Sequence, residues 1–353
     1  MKYTVLLLLI FILIKFKFFG KDFNPDYLDK VQTDAINGIF VFIVFLSHMR
    51  GYLPEINGNW AVSQLCSTLG QMMVTTFLFI SGYGCTISFL KKGENYINKI
   101  PRNRIIPLIV NLDIAVVIYI IMQKFVFDRT FNAKEIIGSL VGWTSVGNSN
   151  WYIFAILCMY LIFYITFKLF GKKESKFELF FSIIFLTILY IKIVEHFQLK
   201  SHWYYDTVLC FPFGVFYAYY KDKIYATITA SNARYFSLLA FFLACFIYMN
   251  KTGFGYTAMY YNMYAICFIC VVLLVMMKIR IGNKVLAFFG SHVFEIYIFQ
   301  RIPMMLLVKY SPLVSDVKYY YIFFIVAFAS TCLIAFLMHL LYGQIGKLIR
   351  SKN

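Results

Sequence analysis

Long apolar runs, each about the length of a membrane-spanning helix and separated by short polar or basic stretches, set the pattern of this chain. A bilayer core takes roughly 20 consecutive apolar residues as a helix. The pattern therefore predicts an all-α, polytopic transmembrane helical bundle of about 10–11 spans. They are expected at approximately 3–19, 33–53, 68–90, 105–123, 151–170, 178–195, 205–220, 235–250, 258–277, 285–308 and 318–342. Several are shorter or more polar than an ideal span, notably 205–220 with Pro212 and Gly214. The first has the length of a signal peptide, but Lys15, Lys17 and Lys21 lie on its far flank and no small-residue cleavage site follows. An uncleaved extra helix is expected there.

Composition agrees with the pattern. The chain is 61% hydrophobic and 14% charged, where a soluble globular protein is about half apolar and about a quarter charged. A net charge of +17 raises nucleic acid as a partner. The basic residues, however, sit in clusters between apolar runs and form no separate basic domain, so no nucleic-acid binding is expected. Most of the eight cysteines lie inside apolar stretches. Cys267-Phe-Ile-Cys270 has half the spacing of a zinc or redox site with no second pair, so no metal site and no disulfide framework are expected.

The basic clusters orient the chain. Lys91, Lys92, Lys99, Arg102 and Arg104 follow the third run, Lys172, Lys173 and Lys176 the fifth, and Lys347, Arg350 and Lys352 lie at the C-terminal end. Alternate loops hold roughly 19 Lys/Arg against about 5 in the other set, and the richer set faces the cytoplasm by the positive-inside rule. An integral multi-pass protein of the plasma membrane is expected, with its C-terminus cytoplasmic.

Polar residues inside apolar runs are the candidate chemistry, because an ionisable group at membrane depth is costly. His48 closes the run Ile36–His48 and its imidazole suits proton transfer near neutral pH. An imidazole at the water interface, or one satisfied by a neighbouring helix, is the competing reading. Asp113 and Glu295 are carboxylates within spans, and Gln300 lies in the same span as Glu295. Each needs a partner, which a shared polar interior would supply. Arg102 and Arg104 suit phosphate groups, and equally suit interface anchoring. Asn148, Asn150 and Trp151, at the end of the longer outward loop 124–150, have the groups that stack on and hydrogen-bond to sugars. An ordinary turn leading into an interfacial aromatic belt would use the same residues.

Four segments occur in a familiar order: Asn37 to His48, Phe77-Leu78-Phe79-Ile80-Ser81-Gly82-Tyr83-Gly84, the Arg102-x-Arg104 pair, and Phe288 to Pro303. The chain in this respect resembles the membrane-bound acyltransferase 3 family, integral-membrane enzymes that acylate, most often acetylate, hydroxyls of extracytoplasmic polysaccharides. The resemblance runs over residues 31–343, leaving an extra N-terminal helix and linker over 1–30 and a basic tail over 344–353. His48, Ser81, Gly82, Arg102 and Arg104 match the family's pattern. Asn37 stands where the family carries a basic residue, and Gln300 where it often carries His.

The resemblance implies an O-acetyltransferase, a transferase of groups other than amino-acyl groups. It would take acetyl-CoA or a related acyl-CoA from the cytoplasm as donor, with no metal. The acceptor would be a hydroxyl of a lipid-linked or surface glycan such as an exopolysaccharide or capsule of the cell envelope. His48 is the expected general base, oriented by Asp113 or Glu295. Arg102 and Arg104, with Ser81 and Gly82, are expected at the acyl-CoA, and Asn148, Asn150, Trp151 and Gln300 at the acceptor. Two other readings fit the same spans: a transporter or flippase of envelope precursors, and a non-catalytic protein on the same scaffold.

Overall fold

The computed structural model describes residues 15–53, 60–173, 176–197, 200–252 and 257–351, with the side chains of all of these except 60–68, 317 and 346–351. The chain opens with β1 (Phe16–Phe18), followed by α1 (Lys30–Met49), α2 (Trp60–Lys92), the short α3 (Glu94–Asn98) and a π-helical turn over Pro101–Ile105. Next come α4 (Ile106–Phe127), α5 (Ala133–Leu140), α6 (Trp151–Phe170), α7 (Phe177–His196), α8 (Cys210–Thr229), α9 (Asn232–Thr252) and α10 (Ala258–Lys278). The last part holds β2 (Ile279–Ile281), α11 (Lys284–Ser291), α12 (Val293–Phe299), α13 (Arg301–Tyr310) and α14 (Tyr320–Ser351).

The all-helical, membrane-spanning class stands: among the described residues eight helices are long and apolar enough to cross a membrane. Three of the expected spans differ. The span at 3–19 lies mostly outside the described residues, and its end, Phe16-Lys17-Phe18, is a strand paired antiparallel with Ile279-Arg280-Ile281. Both triplets alternate apolar and charged side chains, the period of a strand. The Gln32 side chain, donating to Ile279 O and accepting from Ile281 N, ties this ribbon to α1. The stretch at 205–220 forms a helix displaced to 210–229, which takes Lys221, Asp222 and Lys223 into its length and is not among the eight apolar helices. Residues 285–308 form three short helices in place of one span. The first break is at His292, whose imidazole sits 2.7 Å from Phe288 O and satisfies the end of α11. The second is at Gln300. Pro303 there lacks the N–H that would bond to Phe299 O, and its ring crowds that carbonyl.

α1 is the axis of the bundle, buried almost continuously from Ala35 to Leu46. Asp29 caps it by accepting from Gln32 N at 2.7 Å. α11 lies against α1, and α2 against α8, with backbones in contact at glycines. A Cβ on Gly290 would fall 1.7 Å from Asp34 O, and one on Gly82 2.2 Å from Phe211 O. Only glycine permits these approaches, which small residues make possible between membrane helices. α7 and α9 lie at the periphery and expose rows of Phe, Leu and Ile.

Candidate active site

Two cavities approach each other through the middle of the bundle. The larger, about 430 Å³, opens toward the end that carries Lys91, Lys92, Lys99, Arg102 and Arg104, here termed the basic end. Ser81 of α2, Asn103 and Arg104 of the π-helical turn, Asn111 of α4, Asn37 of α1 and Glu295 of α12 supply its polar lining, with Tyr152 and Tyr160 of α6. Asn37 Oδ1 is buried with no hydrogen-bond partner among the described residues. An adjoining cavity of about 230 Å³ shares Asn103, Asn111 and Glu295 and adds Arg102, His339 and Tyr342. Between them Glu295 accepts from His339 Nδ1 at 2.8 Å, and the His339 and His292 rings lie 4.4 Å apart.

The other cavity, about 170 Å³, lies toward the opposite end. Ser47 and His48 at the end of α1, Gly70 and Gln71 of α2, Trp151 of α6, Trp203 of the connection between α7 and α8, and Tyr297 of α12 line it. A guanidinium nitrogen of Arg301 lies 3.2 Å from His48 Nδ1. A guanidinium has donors and no acceptor, so Nδ1 accepts and the imidazole proton sits on Nε2. The Tyr297 ring is 6.0 Å from the His48 ring and 5.7 Å from that of Tyr152, both edge-on. Since Tyr152 lines the basic-end cavity, the Tyr152–Tyr297 pair is the partition between the two chambers.

Beside the second cavity, Asp206 is fully buried in the connection between α7 and α8. It accepts from Gln71 Nε2 at 2.6 Å and pairs with His202 Nδ1 at 2.9 Å. Burial pushes its carboxyl up to about 6, with the His202 and Gln71 hydrogen bonds pulling the other way. Because the Gln71 amide nitrogen is held by Asp206, its carbonyl oxygen is left as the group that serves the cavity.

The residues singled out from the sequence fall in several places. Ser81 and Arg104 share the larger cavity with Glu295, and Arg102 lines the adjoining one. Gly82 turns instead to α8. His48 and Trp151 share the far cavity. The side chain beside His48 is Arg301, while Glu295 is engaged with His339. Asp113 is half-buried on α4 with Oδ1 unpartnered among the described residues, and it lines none of these cavities. Asn148 and Asn150 fold their own loop: Asn148 Oδ1 accepts from Val146 N, and Asn150 Nδ2 donates to Gly142 O and Thr144 O. Gln300 donates to Tyr297 O within its own helical run.

Sequence reasoning passed over Arg301, Tyr297, Gln71, Trp203 and Asp206. Arg301 was within reach of the rule that picked out Glu295, since it is a charge in an apolar run. Nothing local marks Gln71 or Asp206, whose meeting spans 135 residues of sequence.

In comparisons with known proteins, a family model described as an acyltransferase domain matches residues 30–340. No curated protein and no solved structure matches the chain.

Proposed function

The chain belongs to the acyltransferase 3 family and is a multi-pass membrane acyltransferase; from that premise we propose that it is an O-acetyltransferase that works across the membrane. Acetyl-CoA or a related acyl-CoA is taken from the cytoplasm at the basic end, and the acyl group goes to a glycan hydroxyl at the opposite face of the plasma membrane. The observation that carries this reading is the pair of chambers meeting at Tyr152 and Tyr297, one lined by Arg104 with Arg102 in the cavity adjoining it, the other lined by an imidazole and two indoles.

The donor fits the first chamber chemically. Arg102 and Arg104 offer charge-assisted hydrogen bonds to the CoA phosphates, and the unpartnered Asn37 Oδ1 accepts from an amide N–H such as the pantetheine arm carries. Asn37 thereby does as a neutral acceptor what a basic residue could not. The acceptor fits the second. Trp151 and Trp203 supply indole rings, Gln71 a carbonyl, and His48 the group that takes the hydroxyl proton. With its lone pair at Nδ1, His48 acts as base once the acceptor hydroxyl takes the place of the Arg301 guanidinium there.

Sidedness tests this reading. Radiolabelled acetyl-CoA should label glycan in inverted membrane vesicles, whose cytoplasmic face is outward, and fail to do so in sealed right-side-out vesicles. Equal labelling from both would overturn the transmembrane assignment.

A further inference from the structure

Tyr297 is among the most buried side chains in the protein, 1% exposed, and its hydroxyl, with the Ser149 side chain and the Tyr152 backbone nearby, makes no hydrogen bond of full geometry among the described residues. Comparable tyrosines are satisfied: Tyr119 donates to Ile298 O at 2.8 Å, Tyr235 to Leu274 O at 2.9 Å, and Tyr27 meets Tyr217 at 2.8 Å. A buried hydroxyl left unpaired is a standing cost that a ligand atom removes. Tyr297 lines the His48 cavity and touches Tyr152, so its hydroxyl stands where the two chambers come together. Arg301 follows four residues on, just past the break at Gln300. One of its guanidinium nitrogens rests on His48, and its Nε is likewise buried and unpartnered among the described residues.

We propose that Tyr297 and Arg301 are catalytic residues that together hold the oxyanion formed during acyl transfer, an assignment that rests on reading this cavity as the acyl-transfer site. In the attack, the acceptor oxygen bonds to the thioester carbonyl carbon and its proton passes to His48 Nδ1. The carbonyl π pair moves onto oxygen, where the Tyr297 O–H and an Arg301 N–H meet it. Collapse re-forms the carbonyl and breaks the C–S bond, and the departing CoA thiolate takes the proton back from His48. Donors already oriented toward the place where charge develops lower a barrier without reorganisation.

The contact in the resting protein gives Arg301 a second consequence. While its guanidinium occupies the His48 lone pair, no proton can be removed there, from a sugar or from water. The movement that frees the base brings the cation to the carbonyl oxygen. Activation of the nucleophile and stabilisation of the oxyanion are thus one event, and acyl-CoA is shielded from hydrolysis when no acceptor is present.

Tyr297→Phe tests this with little disturbance, since the ring keeps its edge contacts with His48 and Tyr152 and loses only the hydroxyl. The assay is transfer from radiolabelled acetyl-CoA into glycan of membranes from cells lacking the protein, using full-length protein with equal thermal stability across variants. We expect kcat to fall about 10²–10³-fold, with KM for acetyl-CoA and half-saturating acceptor membrane changed by less than about threefold. Arg301→Lys should keep part of the rate that Arg301→Gln loses. Wild-type kcat in Tyr297→Phe, or a change confined to half-saturation, would overturn the assignment. A His48→Gln control separates the two layers. If that variant is inactive while Tyr297→Phe is normal, only the oxyanion assignment fails, whereas a fully active His48→Gln removes the underlying reading.

Discussion

Asp206 is fully buried and its carboxyl titrates near 6, so the fold feels its protonation. Unfolded, it returns to the ordinary aspartate value of about 3.9. Between these values the folded chain binds more protons than the unfolded one. Its contribution is therefore fully present below the lower value and is lost as pH rises through about 6, an effect on the order of 2–3 kcal/mol. Thermal unfolding of Asp206→Asn in detergent should show a flatter dependence on pH between about 4 and 6 than the native protein. An unchanged slope would assign it to another group. At the basic end, replacing both Arg102 and Arg104 by Ala should raise KM for acetyl-CoA roughly tenfold or more, at about 1.5–3 kcal/mol per charged hydrogen bond lost. An unchanged KM would make both of them interface anchors. His48 could be singled out in the sequence because a polar side chain stands out against an apolar run, Arg102 and Arg104 because they stand in a basic cluster, and Ser81 through the resemblance; the structure sets each of them at a cavity. Gln71 and Trp203 sit in ordinary polar surroundings, and only folding brings them to His48.

At the level of the elements, the site is positioned by the contact of α11 with α1. Gly290 lies so close to Asp34 O that a methyl group cannot be accommodated without moving one helix. Gly290→Ala should lower stability by on the order of 1–3 kcal/mol, the usual cost of overpacking. It should also reduce activity, since α12 with Glu295 and Tyr297 follows directly. A melting temperature equal to that of the native protein would show that the helices separate freely there. The apolar pattern foretold most of the long helices within a few residues, the fifth of them with bounds 151–170. It could not foretell the breaks at His292 and Gln300. Hydropathy measures the depth a segment reaches and is insensitive to whether it runs straight, and Pro303, the local signal for a break, sits within an uninterrupted apolar stretch. Within α12, Glu295 and Tyr297 are two residues apart and so face nearly opposite sides of the helix, Glu295 lining one chamber and Tyr297 the other.

For the whole molecule, orientation decides which chamber meets which compartment. The loops holding Arg102, Arg104, Lys172 and Lys173 lie at one end, where Lys172 pairs with Glu94 at 2.8 Å and Lys168 donates to Asn98. At the other end Lys200 sits 4.1 Å over the Trp143 ring, tying the connection after α7 to the longer loop before α6. By the positive-inside rule, a reporter fused after Asn353 should behave as cytoplasmic. A reporter active at the cell surface would reverse the assignment of the two chambers. This expected orientation rests on the alternation of basic and sparse loops along the sequence. The pairing of two chambers across Tyr152 and Tyr297 was not readable there, because it depends on α6 and α12 being neighbours in space.

The central claim is that His48 removes the acceptor's proton in acyl transfer, and His48→Gln tests it most directly. Glutamine has similar reach and retains an amide oxygen to accept from Arg301, so the helix contact survives while the proton acceptor is lost. With equal protein in the membrane, O-acetylation of surface glycan in cells carrying His48→Gln should fall by about 10²–10⁴-fold, the usual share of positioned proton transfer. Acetylation at the native rate by a stable His48→Gln protein would contradict the account.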